Sequence, residues 1–339
     1  IGAAHPSAAG PDQIALAMDP KFIEHLPKGA ARTALLPPGT DHAALGLAAA
    51  IFAPRPRYAL AGVTSMFQHP LDVAPGRHPS AVVAPDAEIG ADVTIGPFAV
   101  IGPGARIGDR VVIAEHVSVG RGAEIGADAI LYAGARIGFG VSIGERTRVH
   151  ENSVIGSDGF SFVTPEPGTV ESAERTGRIE VGVRNSVWAR IHSLGSVRIG
   201  ADVEIGACVT VDRGTVVDTS VGDGTKIDNL VQIGHNCRIG ENCLFCGHVG
   251  LAGSVDVGDR VVLGGKVGVA DHVTIGDDAM AMATAGIVGP VKPRTIVGGI
   301  PALPRDEAAR LHVALRRLPR IADDVAALKK RFSSNEGSG

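Results

Sequence analysis

From Val83 onward, every sixth residue is aliphatic: Val83, Ile89, Ile95, Ile101, Ile107, Ile113, Val119, Ile125, Leu131, Ile137, Ile143, Val149 and Ile155. A period of six does not fit the 3.6-residue helix, but it is a multiple of the two-residue strand period and is the signature of a β-helix. Each repeat supplies one short β face, and three repeats close a triangular coil of about eighteen residues. The residue after the aliphatic is usually glycine, as at Gly90, Gly96, Gly102, Gly108, Gly120, Gly126, Gly138 and Gly144. Four places after it comes a small or β-branched residue, as at Val93, Ala99, Ala105, Val111 and Val117. The expectation is a stacked rod with the aliphatics inside and the glycine relaxing the backbone at each corner.

Such a rod accounts for a composition that is otherwise odd, with 46 glycines and only 4% aromatic residues in 339. The formal charge of −4 argues against a nucleic-acid partner for the chain as a whole. No run of about eighteen apolar residues suggests a membrane span, and no signal peptide is expected. The four cysteines are Cys208, Cys237, Cys243 and Cys246. The Cys243–Cys246 spacing lacks a matching second pair, and Cys237 and Cys243 fall at the small position of the repeat. They are expected to pack rather than bind metal, in a reducing, cytoplasmic setting.

Residues 1–77 lack the period and read as a small α/β domain. Asp19 and Pro20 open a short helix through Leu26, residues 48–53 suggest a buried strand, and residues 57–67 a second helix. A linker rich in Pro and Gly at 72–79 leads into a rod spanning 78–300. The period lapses at 157–178, read as a loop thrown out from one coil. It resumes at Val181, Val187, Ile199, Ile205 and Val211, slips by four near Asp212-Arg213-Gly214, and holds from Val221 to Ile275. In residues 301–332 the spacing of Leu311, Leu315, Leu318, Val325 and Leu328 is that of an amphipathic helix, which Pro319 should bend or split. That apolar stripe suggests helix partners in an oligomer, and its other side is basic. Residues 333–339 read as a disordered tail.

The candidate site lies in the polar stretch from Lys226 to Asn236. His235 follows a glycine at a corner and should face outward near an edge. Eighteen residues on, one coil along, Gly253 offers a backbone N–H to an oxyanion beside the imidazole. His272 falls a further coil and one residue along on the same edge. A neutral imidazole is suited to take a proton near pH 7. Asp228, Asn229, Gln232 and Asn236 surround His235 in sequence and are candidates for substrate binding.

The rod resembles the hexapeptide-repeat acyltransferases, and the resemblance implies a left-handed coil, opposite to the usual rule for parallel crossovers. The strings Asp158-Gly159-Phe160, Thr210-Val211-Asp212-Arg213-Gly214 and Ile227-Asp228-Asn229 through Gly234-His235-Asn236 resemble the UDP-3-O-acylglucosamine N-acyltransferase family of lipid A biosynthesis. So does the three-part layout: a mainly β chain with a left-handed parallel β-helix, a small N-terminal α/β domain and a C-terminal helical extension. The resemblance implies a homotrimer with sites between rods. It implies an acyl carrier protein as donor, whose phosphopantetheine carries the acyl group, with no permanently bound cofactor and no metal. It assigns His235 as general base, His272 as an assisting histidine and Gly253 to the oxyanion. Where the family grips uracil with aromatic-x-x-Asn-x-x-aromatic, this chain has Leu16, Asp19 and Phe22. Phe22 is then the surviving stacking platform, and Asp19 either meets the nucleotide or caps the helix. The stretch 163–197 is longer than the family's usual loop.

Three rival readings are open on sequence alone. The first is a CoA-dependent sugar acetyltransferase on the same rod. The second is a zinc carbonic anhydrase using His235, His248 and His272, and the third a scaffold without activity.

Overall fold

A computed structural model describes residues 2–69, 71–299 and 302–336. The chain divides into two compact units, Ile1–Asp72 and Val73–Gly339, so the boundary falls at the start of the expected linker rather than after residue 77.

The first unit is a four-stranded parallel sheet of Gly2–Ala4, Gln13–Leu16, Thr33–Leu36 and Ala49–Phe52, in chain order. Its core is built from Ala15, Ala17, Ala34, Leu36, Leu26 and Leu47. Helix α1 (Pro20–Ile23) begins where Asp19 accepts the Lys21 N–H at 3.1 Å, with Pro20 in the first turn. A short 3₁₀ turn, Leu26–Lys28, follows it. Helix α2 is Pro56–Met66. The strand expected to be buried at 48–53 is instead at the sheet edge, where Ile51 and Phe52 are exposed.

The second unit contains the left-handed parallel β-helix, whose three flat faces carry ten, ten and nine strands. Strands pair in parallel with those eighteen residues away, as Val112 with Ile130 and Glu124 with Ser142. Face I runs from Thr94–Ile95 to Ile296–Val297, face II from Val82–Val83 to Gly286–Ile287, and face III from Glu88–Ile89 to Thr274–Ile275. The aliphatics of the repeat from Ile95 to Ile155 are all at most 4% exposed, and the small residues Ala99 through Val141 are at 0%. Ile89, at the open end of the stack, is exposed.

The repeat glycines do a different job from the one the pattern suggested. None of Gly90, Gly96, Gly102 or Gly108 has a positive φ. A Cβ on Gly108 would lie 2.6 Å from the Ala127 backbone N of the next coil, so these residues are glycine because the coils approach too closely for a side chain. The left-handed conformation sits two residues later, at Asp92, Phe98, Arg110, His116 and their successors, with φ between 54° and 63°. Non-glycine residues tolerate that conformation here because it recurs at every corner and the stacked coils hold it in place.

Two insertions interrupt the stack, and near its end one coil is two residues short, so that Met280 pairs with Ile296, 16 residues on. Arg136–Ile137 pairs with Val154–Ser157 at the regular spacing, but Ser142 pairs with Arg198, 56 residues on. The excursion therefore runs to about residue 196, not to 178. Val181 and Val187, expected to re-enter the rod, are exposed and belong to no face. Their aliphatic spacing matches the repeat, and Gly182 follows Val181 as the pattern asks, but Asn185 stands at the small position and Trp188 at the glycine position. The excursion carries an antiparallel pair, Phe162–Val163 with Ala189–Arg190, and helix α3, Thr169–Thr176. The second insertion is the expected four-residue slip, since Ser220 is 22 residues beyond its partner Arg198.

A single helix, α4 (Arg305–Glu336), runs through Pro319 rather than splitting there. One missing N–H is tolerated in a segment otherwise rich in good helix formers. Residues 333–336, expected to be disordered, continue this helix, and 337–339 lie outside the described residues. The stripe Leu311, Leu315, Leu318, Val325 and Leu328 is exposed. Among the described residues, no helix is long and apolar enough to cross a membrane.

Candidate active site

The three corners of the rod are not alike. The excursion leaves after Ile155 and the slip after Val211, and both positions end a face II strand. His235, Gly253 and His272 stand at that same corner, with Ser254 N–H donating to the His235 carbonyl (2.8 Å) and His272 N–H to that of Gly253 (3.1 Å). Every departure from regular stacking therefore lies along the edge that carries the candidate residues.

The His235 ring is half-buried between two glycines. A Cβ on Gly253 would fall 2.7 Å from Cε1 and 2.8 Å from Nε2 of the imidazole, and one on Gly159 would fall 2.7 Å from His235 Cβ. Gly253 belongs to the next coil and Gly159 to the excursion, so the imidazole rests against bare backbone on both sides. The Gly253 N–H makes no hydrogen bond among the described residues. At some regular corners the equivalent amide is capped, as where Glu241 N–H donates to Asp259 (2.9 Å) and Asp259 N–H to Asp277 (3.0 Å), while at others, such as Arg121 and Phe139, it is open as it is at Gly253.

His235 Nδ1 lies 2.9 Å from Asn236 Oδ1. That oxygen also accepts from the Thr215 N–H (3.1 Å) and the Thr215 hydroxyl (3.0 Å), while Asn236 Nδ2 donates to the Val217 carbonyl (3.0 Å). A backbone N–H needs an acceptor and a carbonyl needs a donor, so these contacts fix which end of the amide is oxygen. Nδ1 must then carry the proton, and Nε2 presents its lone pair beside Gly253. The arrangement suits a general base next to a free N–H donor.

The slip loop gives each residue of Asp212-Arg213-Gly214-Thr215 a separate task. Asp212 accepts from the Ser157 hydroxyl (2.7 Å) and from Gln232 Nε2 (3.0 Å). Burial raises its carboxyl above the usual range, opposed by these two donors and by His235. Arg213 is 1% exposed and donates to the carbonyls of Gly156 (2.9 Å), Gly195 (3.3 Å) and Phe139 (2.8 Å), with its guanidinium 3.5 Å above the Phe139 ring. One side chain thus ties together the two ends of the excursion. Burial lowers the Arg213 pKa, and Asp158 and Asp218 oppose that shift. Gly214 is held so close to the Val217 carbonyl that a Cβ would overlap it, and Thr215 anchors Asn236.

The structure separates the residues that the sequence grouped around His235. Gln232 stays with the site through Asp212. Asp228 and Asn229 lie one corner earlier, after face I, where Asn229 Oδ1 accepts the Ala207 N–H (2.6 Å) and Asp228 accepts the Asn229 N–H (2.7 Å). Within one chain they are corner-capping residues, because six residues is one whole face. His248 also stands at the corner after face I, apart from His235 and His272. His272 is exposed. In the first unit, Asp19 caps α1 and lies 3.7 Å from Lys21 Nζ. Phe22 is half-buried, with His5 edge-on at 5.7 Å and Lys21 Nζ 5.1 Å above its ring.

Sequence reasoning assigned no role to Gly159, Asp212, Arg213 or Thr215. The available signal was that the loop and the slip both interrupt the repeat after a face II aliphatic, which places both at the corner of His235.

The family model for bacterial transferase hexapeptide (six repeats) matches residues 86–121 and 218–253. An Arabidopsis UDP-N-acetylglucosamine acyltransferase structure shares the fold, with a TM-score of 0.50 at 24% identity over 66% of this chain and 71% of that one. Fold and repeat together define a rod of the bacterial transferase hexapeptide class. A UDP-3-O-acylglucosamine N-acyltransferase from Ruegeria pomeroyi is 50% identical over 98% of this chain and 92% of its own. One of the same name from Paracoccus denitrificans is 50% identical over 60% of this chain and 55% of its own. The chain belongs to the UDP-3-O-acylglucosamine N-acyltransferase family.

Proposed function

We propose that this chain transfers a 3-hydroxyacyl group to the 2-amine of UDP-3-O-acylglucosamine in lipid A biosynthesis. The donor is an acyl carrier protein whose phosphopantetheine thiol carries the acyl chain, and the reaction takes place in the cytoplasm. The working form is a homotrimer with sites between rods, in which Asp228, Asn229 and Lys226 of one corner can face a neighbouring chain. The observation that carries the reading is the His235 imidazole, held by Asn236 with Nε2 free beside the unoccupied Gly253 N–H.

In the reaction the amine nitrogen attacks the thioester carbonyl carbon while His235 Nε2 takes a proton from it. The Gly253 N–H donates to the developing oxyanion. The intermediate collapses by breaking the C–S bond, leaving an amide, and the imidazolium returns the proton to the thiolate. His272 contacts the substrate along the same edge. Phe22 stacks on uracil, and Asp19, already engaged as the cap of α1, takes a lesser part.

The test is mass-spectrometric detection of N-acylated product from the UDP-linked acceptor, comparing a 3-hydroxyacyl carrier protein with acetyl-CoA. Efficient transfer from acetyl-CoA alone would replace this reading with a sugar acetyltransferase. His235→Ala should lower the rate at least about 10²-fold, the smallest effect expected from removing a general base. Retention of more than about a tenth of the rate would refute the assignment.

A further inference from the structure

The excursion encloses a cavity of about 450 Å³ between its strand pair and α3, walled by Phe160, Phe162, Val163, Val170 and Trp188. This lies within the range of about 300–1,000 Å³ usual for small-molecule sites. The polar side chains on its wall each make at least one hydrogen bond within the loop. The Thr164 hydroxyl donates to the Glu166 carbonyl (2.5 Å), Asn185 Oδ1 accepts from the Thr169 N–H (3.0 Å), and Glu171 accepts from the Gly168 N–H (3.1 Å). What remains toward an occupant is mostly hydrocarbon and aromatic surface. Phe160 is 85% exposed and Trp188 53%, an apolar display that a loop would not carry without something to cover it. The cavity begins one residue from Gly159, which touches the His235 ring.

We infer that this shelf receives the 3-O-acyl chain of the acceptor sugar, a proposal that rests on the functional reading above. The ester oxygen is borne by the carbon next to the one carrying the reacting amine, so the chain must start beside His235. A cavity walled mainly by Phe160, Phe162, Val163, Val170 and Trp188 suits a hydrocarbon better than a nucleotide or a carrier-protein surface. The wall is built by α3 and the strand pair together, so the lengthened loop becomes a determinant of acceptor specificity.

Trp188 is the only tryptophan in the chain, so its fluorescence reports on the shelf directly. A 3-O-acylated UDP-glucosamine should shift its emission to the blue, and UDP-glucosamine without the chain should leave it unchanged. Equal responses to the two would overturn the proposal. In a second arm, Val170→Asp places a carboxylate in the cavity, yet at the first turn of α3, where an acidic residue favours the helix. KM for the long-chain acceptor should rise at least about tenfold, as expected for an unpaired charge facing a chain-binding wall. KM for the unacylated acceptor and for the donor should not move. A rise confined to the donor would assign the shelf to the incoming acyl group instead, and no change in any KM would remove the shelf from the reaction. If the unaltered enzyme acylates no UDP-linked amino sugar, the functional reading fails and this proposal falls with it. If it does acylate one and these two arms fail, only the shelf assignment falls.

Discussion

Two corners of one repeat have been put to opposite uses. After face III the turn residues stack as Asp92, Arg110, Asp128, Arg146 and Asp202, alternating in sign. Arg110 holds Asp128 and Arg146 holds Asp202 in paired contacts of 2.7–2.8 Å. The Arg110 hydrogen bond lowers the Asp128 carboxyl, and Arg146 does the same for Asp202. The corner after face II instead carries Gly104, Gly122 and Gly140, then the excursion, the slip, Asn236, Ser254 and His272. The first corner pairs its own charges in stacked Arg–Asp contacts. The second, among the described residues, leaves His235 Nε2 and the Gly253 N–H side by side without partners.

The sharpest way to break the contrast is Arg213→Met. It leaves the carbonyls of Gly156, Gly195 and Phe139 without their donor in a buried setting. At about 1–3 kcal/mol for each orphaned group, the loss should exceed about 3 kcal/mol, read as a fall in thermal or denaturant midpoint. Arg110→Met, on the exposed ladder, should leave the midpoint close to that of the unaltered protein. Equal effects would mean that the site corner is no more specialised than the ladder.

Gly253→Ala should come next. The equivalent position on the ladder corner holds Asp109, Glu145, Glu241 and Asp259, so the backbone there accepts a side chain. Opposite His235, a Cβ would push on Cε1 and Nε2. A displacement on the order of 1 Å at a reacting group costs about 10² in rate. Steady-state kinetics should therefore show kcat falling by about that factor at nearly unchanged stability. Wild-type kcat would show that the ring has room to spare.

The rod was legible because six residues make one face and eighteen one coil, so aliphatic spacing alone fixes the register. The same arithmetic placed His235, Gly253 and His272 on one edge. It failed where residues are neighbours in sequence but not in space. Asp228 and Asn229 are six residues from Gly234 and His235, one full face away, so shared polarity does not bring them to the same corner. Val181 and Val187 matched the period by spacing, and without stacked partners a six-residue spacing carries no structural information. Arg213 was unreadable because its three acceptors are backbone carbonyls, which leave no trace in the identity of the residues at 139, 156 and 195. In residues 333–336, polar composition argued for disorder, but a helix already propagating through α4 extends at little cost.

Asn236→Leu separates orientation from chemistry. The substitution keeps the size but removes the acceptor that holds the Nδ1 proton, so the ring can present either nitrogen toward Gly253. The expected loss is about tenfold in kcat, roughly 1.4 kcal/mol, with little change in KM. Asn236→Asp retains an acceptor and should recover part of the rate. A drop in thermal midpoint without a kinetic effect would make the Asn236 contacts to Thr215 and Val217 its whole role.

The smallest effect belongs to the remaining corner, after face I. There His150 stacks on Tyr132 at 4.4 Å and lies 3.2 Å from Glu204. The hydrogen bond with Glu204 raises the His150 pKa, and the same bond lowers that of Glu204. The raised histidine contributes stability that is complete below its unfolded value of about 6.5 and is lost as pH climbs through the folded value. The lowered glutamate contributes above about 4.3 and loses that contribution as pH falls through its own folded value. Between those limits the pair is fully formed, though half-exposed and therefore weak. The thermal midpoint should be slightly higher near pH 6 than near pH 8, and His150→Gln should flatten that part of the pH dependence. An unchanged slope in the variant would place the titration elsewhere and leave this corner, like the charge ladder, as stacking without linkage.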